Sequence, residues 1–86
     1  MIMLFHLYII YSKSLNKYYV GYSADLNKRL EEHNVGISTF TSAANDWELK
    51  YHETFNSRSE AMKRERSIKA KKSRIYIEWL INSAGG

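Results

Sequence analysis

Two runs of β-branched, aromatic and aliphatic residues, at 4–11 and 17–22, stand only five residues apart near the start of the chain. The segment between them, Ser12-Lys13-Ser14-Leu15-Asn16, is polar and free of proline. It is too short for the crossover that a parallel pair needs, so the two runs predict an antiparallel hairpin. Opposed residues of such a pair point to the same side. Closure around residues 12–15, or 12–17, therefore puts Tyr8 and Tyr19 on one face. Gly21, two residues after Tyr19, leaves that face bare and open to close approach by a substrate backbone. Packing of the two tyrosines beneath a helix is the simpler use of the same arrangement.

After this hairpin the apolar period changes. Ser23 is a natural N-cap, Asp25 falls in the first turn, and Leu26 and Leu30 are four apart, which predicts a helix that Asn34 and Gly36 end. Residues 35–46, rich in Ser, Thr, Ala and Asn, read as a long surface loop. Residues 47–55 alternate, with Trp47, Leu49, Tyr51 and Phe55 on one face of a third strand. Ser57 or Ser59 caps a second helix running to about Lys69 or Lys72, and Ser73 opens a third that carries Ile77, Trp79, Leu80 and Ile81. The order strand, strand, helix, strand, helix, helix argues for an α+β layer: a three-stranded antiparallel sheet flanked by three helices. With 86 residues, the expectation is one domain over 1–82 and a fraying tail at 83–86.

Composition removes several classes of function. The chain has no cysteine, which excludes disulfides, thiol nucleophiles and cysteine-bound zinc. No stretch approaches the eighteen or so apolar residues of a membrane span, so a soluble, cytoplasmic protein without a membrane partner is expected. The net charge of +4 suits a polyanion, and residues 58–74 concentrate it in Arg58, Lys63, Arg64, Arg66, Lys69, Lys71, Lys72 and Arg74 against Glu60 and Glu65 alone. The plain reading of that run is a solvated helix surface.

Charged residues also interrupt the apolar helix faces. Leu26, Arg29, Leu30 and His33 form one continuous stripe, so half of a core-facing surface is polar. Arg29 then needs a carboxylate or a phosphate. Glu65 lies three or four residues from Ala61, Met62 and Ile68, on their side of the second helix, and needs a cation: Arg29, a lysine or a metal ion. An Arg29–Glu65 bridge between packed helices would satisfy both without any chemistry. His33 alone reads as a partner for the helix C-terminal dipole. His6 and His52 lack acidic neighbours at ligand spacing, which argues against a histidine-rich zinc site.

Taken in order, Leu7-Tyr8-Ile9, Tyr19-Val20-Gly21, Arg29, His33 and Glu65 resemble the GIY-YIG nuclease superfamily, over residues 5–81. Lys17-Tyr18-Tyr19-Val20-Gly21-Tyr22-Ser23, Glu32-His33-Asn34 and the stretch from Ser59 to Glu65 resemble its short stand-alone bacterial branch. They are similar to the nuclease module of the excision-repair incision subunit. The resemblance implies a metal-dependent endonuclease acting on DNA, in repair or recombination, with one Mg²⁺ or Mn²⁺ ion. It implies Glu65 as metal ligand and Arg29 on the scissile phosphate. Tyr8 and Tyr19 match the motif tyrosines, and His33 lines the same site, with the general base left open among these three. Gly21, Arg58, Lys63, Lys69, Lys71, Lys72 and Arg74 are then the candidates for substrate contact. A nucleic-acid-binding module with a vestigial site, or one that depends on a targeting protein partner, is the alternative. The sequence departs from the family pattern at His6, where the motif has glycine, and at Tyr22, and the 35–46 loop has no Lys or Arg.

Overall fold

The computed structural model describes residues 3–37 and 41–84. Strands β1 (Phe5–Ser12), β2 (Lys17–Ser23) and β3 (Trp47–Phe55) form one antiparallel sheet in the order β2-β1-β3, with helices α1 (Leu26–Asn34), α2 (Arg58–Ala70) and α3 (Arg74–Ala84). This is the α+β layer that the pattern predicts. β1 is the most apolar strand because it is the central one, buried on both faces. Its Leu7 and Ile9 join Val20 of β2 in a core against Ile68 of α2 and Leu80 of α3. On the opposite face Tyr8, Ile10 and Trp47 pack under Leu26 and Leu30 of α1.

Three local features differ from the expected pattern. The N-cap of α1 is Asp25, whose carboxylate accepts the Lys28 N–H at 3.1 Å. Ser23 instead ends β2 opposite His6, and its hydroxyl accepts the Asp25 N–H. In β3, Ile9 pairs with Tyr51 but Ile10 pairs with Leu49, so Lys50 is an extra residue in a β-bulge. The bulge moves Trp47 and Leu49 to the Tyr8 face and leaves Tyr51 and Phe55 on the Leu7 face. The single apolar side expected of β3 is thus divided between two cores. Finally, Trp79 does not join the α3 core, since it is 59% exposed and stacks on Tyr76.

Ser57 caps α2 by accepting the Glu60 N–H, and the Ser73 hydroxyl accepts the Tyr76 N–H at the start of α3. Helix α3 extends to Ala84, two residues past the boundary expected at 82, and residues 85–86 of the anticipated tail lie outside the described residues. So do residues 38–40 of the expected loop. Among the described residues no helix is long and apolar enough to cross a membrane.

Candidate active site

The hairpin register places Tyr8 opposite Gly21 and Ile10 opposite Tyr19, so both tyrosines and the glycine share the face that α1 partly covers. The two phenol rings stand 6.5 Å apart between centroids. A Cβ at Gly21 would lie 2.5 Å from Tyr8 Oη and 2.7 Å from its Cζ. The space this glycine leaves is therefore filled by the Tyr8 phenol. Gly21 seats the tyrosine, which corrects the expectation that it admits a substrate backbone.

Helix α1 delivers two polar groups to the same place because Arg29 and His33 lie four residues apart. His33 is fully buried. Its Nε2 is 2.8 Å from Tyr8 Oη, its Nδ1 is 2.6 Å from Thr41 Oγ1, and its ring centroid is 5.1 Å from that of Tyr19. Burial, reinforced by the Arg29 charge, lowers its pKa to about 4. It is thus a neutral member of a hydrogen-bonded chain, and not the charged dipole partner that its position alone suggested. Burial pushes Tyr8 up to about 12 despite the neighbouring Arg29 guanidinium, which favours the phenolate. Arg29 is itself opposed by burial, but hydrogen bonding to Tyr8 and Glu32 outweighs this and holds its pKa up.

The direct Arg29–Glu65 bridge does not form. Arg29 Nη1 pairs with Glu32 Oε1 at 3.1 Å, and Glu65 Oε1 faces Lys69 Nζ at 3.6 Å. Lys69 Nζ also stands 5.6 Å from the centroid of the Tyr19 ring, and the Glu65 charge is among those acting on Tyr8. Tyr8, Tyr19, Arg29 and His33 thus lie together, with Lys69 beside the Tyr19 ring and Glu65 within electrostatic reach of Tyr8; the four elements β1, β2, α1 and α2 supply these groups.

The other basic candidates are dispersed. Arg58 lies over the Phe5 ring and Lys71 over Tyr76. Arg74 lies over Tyr18, and its guanidinium donates to the Asn16 carbonyl at 2.8 Å and to Asn16 Oδ1 at 2.7 Å. Arg74 is consequently a staple between the hairpin turn and α3. Lys63 and Lys72 are exposed. His6 bonds Thr54 through Nδ1, and its ring is 6.3 Å from His52.

Two participants escaped the sequence reading. Thr41 is completely buried, and its carbonyl accepts the Trp47 indole N–H at 2.9 Å. The Asn34 side chain holds the Trp47 backbone from both sides, accepting from its N–H at 2.7 Å and donating to its carbonyl at 3.0 Å. Thr41 lies in an aperiodic Ser/Thr/Ala stretch, where no pattern distinguishes one hydroxyl from the next. Glu32 was visible only as part of a motif, and its pairing with Arg29 could have been found from their three-residue spacing.

Among the described residues no group of three or more His, Asp or Glu side chains is placed to hold a metal ion. Glu65 nevertheless suits a hard cation. Its side chain is 18% exposed and its charge has a single, loosely placed lysine partner, leaving carboxylate oxygen available. A one-carboxylate set fits Mg²⁺, which keeps most of its water and takes further ligands from phosphate.

Comparison with known proteins agrees with this architecture. The family model described as the GIY-YIG catalytic domain matches residues 4–79. A UPF0213 protein of Halobacterium salinarum is 42% identical over 65 residues, covering 74% of this chain and 83% of that protein. The UPF0213 protein YazA of Bacillus subtilis is 34% identical over 82 residues, covering 91% and 83%. The solution NMR structure of a UPF0213 protein from Bacillus halodurans superposes with a TM-score of 0.61 at 30% identity, over 98% of this chain and 88% of that one. The name UPF0213 denotes a group of proteins and no reaction. Motif residues, fold and relatives lead to one assignment: the chain belongs to the GIY-YIG family, a nuclease superfamily, and is similar to its short UPF0213 members.

Proposed function

We propose that the protein is a metal-dependent endonuclease that hydrolyses phosphodiester bonds in DNA, in repair or recombination. The observation that supports this reading is that a guanidinium, a carboxylate and a second phenol, Arg29, Glu65 and Tyr19, each from a different element, all act electrostatically on the Tyr8 phenol. Nothing in the packing of the two helices needs that arrangement, since Arg29 and Glu65 do not pair with each other.

Arg29 keeps part of its planar fork beyond the Glu32 contact, and that part binds oxygens of the scissile phosphate. Glu65 holds one Mg²⁺ or Mn²⁺ ion, which when bound supplies Lewis-acid stabilisation of charge developing on the phosphate. Near neutral pH both Tyr8 and His33 are uncharged. We assign Tyr8 as the donor in their hydrogen bond, with the Nδ1 proton of His33 given to Thr41. Tyr8 Oη, its own proton held by His33 Nε2, accepts a hydrogen bond from the attacking water and orients it, and the general base stays open among Tyr8, Tyr19 and His33. Tyr19 orients the water from the opposite side, and Lys69 holds the adjoining phosphate. The site recognises phosphate and no base, so a targeting partner would choose where it acts.

The test is cleavage of labelled single-stranded, branched and duplex DNA in Mg²⁺ or Mn²⁺. Glu65→Gln and Arg29→Ala should each lower the rate by about 100-fold or more, with circular dichroism and melting temperature preserved. Loss of the fold in both variants would assign these residues to stability. DNA binding without cutting in either ion would make the protein a binding module.

A further inference from the structure

A second cavity, of about 310 Å³, opens between the β1–β2 turn and the junction of α2 with α3. Tyr18 and Ile77 form its floor, and Lys17 and Lys72 stand on its rim. Neither lysine's ammonium group has an ion pair or hydrogen-bond partner among the described residues. Its wall is braced by the two Arg74 hydrogen bonds to Asn16, and the nearby Glu78 carboxylate is occupied by Arg74 at 3.5 Å and by the Tyr18 hydroxyl. The volume is within the range of small-ligand sites, roughly 300–1,000 Å³. Lys72 has φ 48, a left-handed conformation that favours glycine.

The position of this cavity relative to the candidate active site is informative. Tyr18 and Tyr19 are consecutive in β2 and point to opposite faces of the sheet, into its two cores. Lys69 stands beside the Tyr19 ring and Lys72 borders the cavity, about one helical turn further along the chain. Because β2 is an edge strand, a polynucleotide that occupied both sites would have to turn around that edge. The turn is on the scale of a single sheet layer, about 10 Å, whereas duplex DNA stays straight over about 500 Å. Only a single strand can follow it.

We propose that this cavity seats one nucleotide of a single-stranded arm of the substrate, its phosphate between Lys17 and Lys72 and its apolar part on Tyr18 and Ile77. The proposal rests on the nuclease reading above and narrows its substrate to DNA with a single-stranded segment beside the scissile phosphate.

The experiment is fluorescence anisotropy with a labelled single strand and a blunt duplex, on the full chain carrying Glu65→Gln. Lys72→Gly and Lys72→Asn both remove the charge and accept the left-handed backbone, so the melting temperature should be unchanged or higher. Combining either with Lys17→Gln should weaken single-strand binding roughly tenfold and lower the slope of log K against log salt by about 0.7, the contribution of one phosphate. Blunt-duplex affinity should change far less. Lys50→Gln, on the opposite edge strand, should leave the single-strand affinity and slope as they were. An unchanged slope in the double variant, an equal loss with blunt duplex, or no single-strand binding at all would overturn the cavity's role. Cutting that survives alongside an unchanged slope defeats this site alone. Lysine-dependent strand binding by a wild-type protein that cuts nothing defeats the nuclease reading and leaves the strand site standing.

Discussion

His33 shows how burial at a single residue links the site to pH. Its folded pKa of about 4 lies below the ordinary 6.5, so between those values the unfolded chain binds the additional proton. The stability that neutral His33 confers is fully present above pH 6.5 and is lost as pH falls toward 4. Its size is roughly 3 kcal/mol. Urea denaturation at pH 7 and pH 4.5 should therefore show a steeper loss in the wild type than in His33→Gln, and equal losses would sink the assignment. The residue also marks how far side-chain roles can be read locally. The i, i+3, i+4, i+7 stripe correctly put His33 and Arg29 on the inner side of α1. Glu32, three residues from Arg29, is a partner that helical spacing offers, whereas Thr41 depends on how the loop settles, which no period records.

Elements fared unevenly for reasons visible at their ends. Ser23 and Asp25 are both capping residue types two positions apart, and only the pairing of Ser23 with His6 removes it from the choice. Asp25→Ala should cost about 1 kcal/mol in urea denaturation, and Ser23→Ala clearly less. The reverse order would return the cap to Ser23. Strand β3 has an apolar alternation that continues smoothly through Lys50, so the bulge is silent in its own residues. It is imposed by β1, whose two faces belong to different cores and which must be matched by Trp47 on one side and by Tyr51 on the other. On α3 the third-helix assignment held, but Trp79 lies outside the stripe of Tyr76, Ile77, Leu80 and Ile81 that meets the sheet.

At the scale of the molecule, α2 joins stability to the site. Ile68 is buried against Leu7, Ile9 and Leu80, while Glu65, three residues earlier, faces Lys69 and acts electrostatically on Tyr8. Ile68→Ala should destabilise by ~3 kcal/mol and lower the melting temperature by more than about 10 °C. A shift of a degree or two would show that α2 is held mainly by its polar contacts. Chief among these is Arg64, which donates to Glu53 of β3 through Nε at 2.9 Å and Nη2 at 3.0 Å. That pairing takes Arg64 out of the basic surface counted from the sequence. The even spread of positive charge along 58–74 is thus divided in the folded protein among a core-edge ion pair, aromatic contacts and the exposed Lys63, Arg66 and Lys72.

By itself the sequence determined the order of elements, the hairpin, and the sharing of one sheet face by Tyr8, Tyr19 and Gly21. These follow from periods of 2.0 and 3.6 residues, which orient each side chain about the axis of its own segment. Only the tertiary structure decided that Arg29 and Glu65 do not pair with each other, that Thr41 completes the His33 chain, and that Tyr8 fills the space above Gly21. Such contacts join segments whose relative placement is set by how two cores pack on opposite faces of one sheet, and a local period carries no information about that placement.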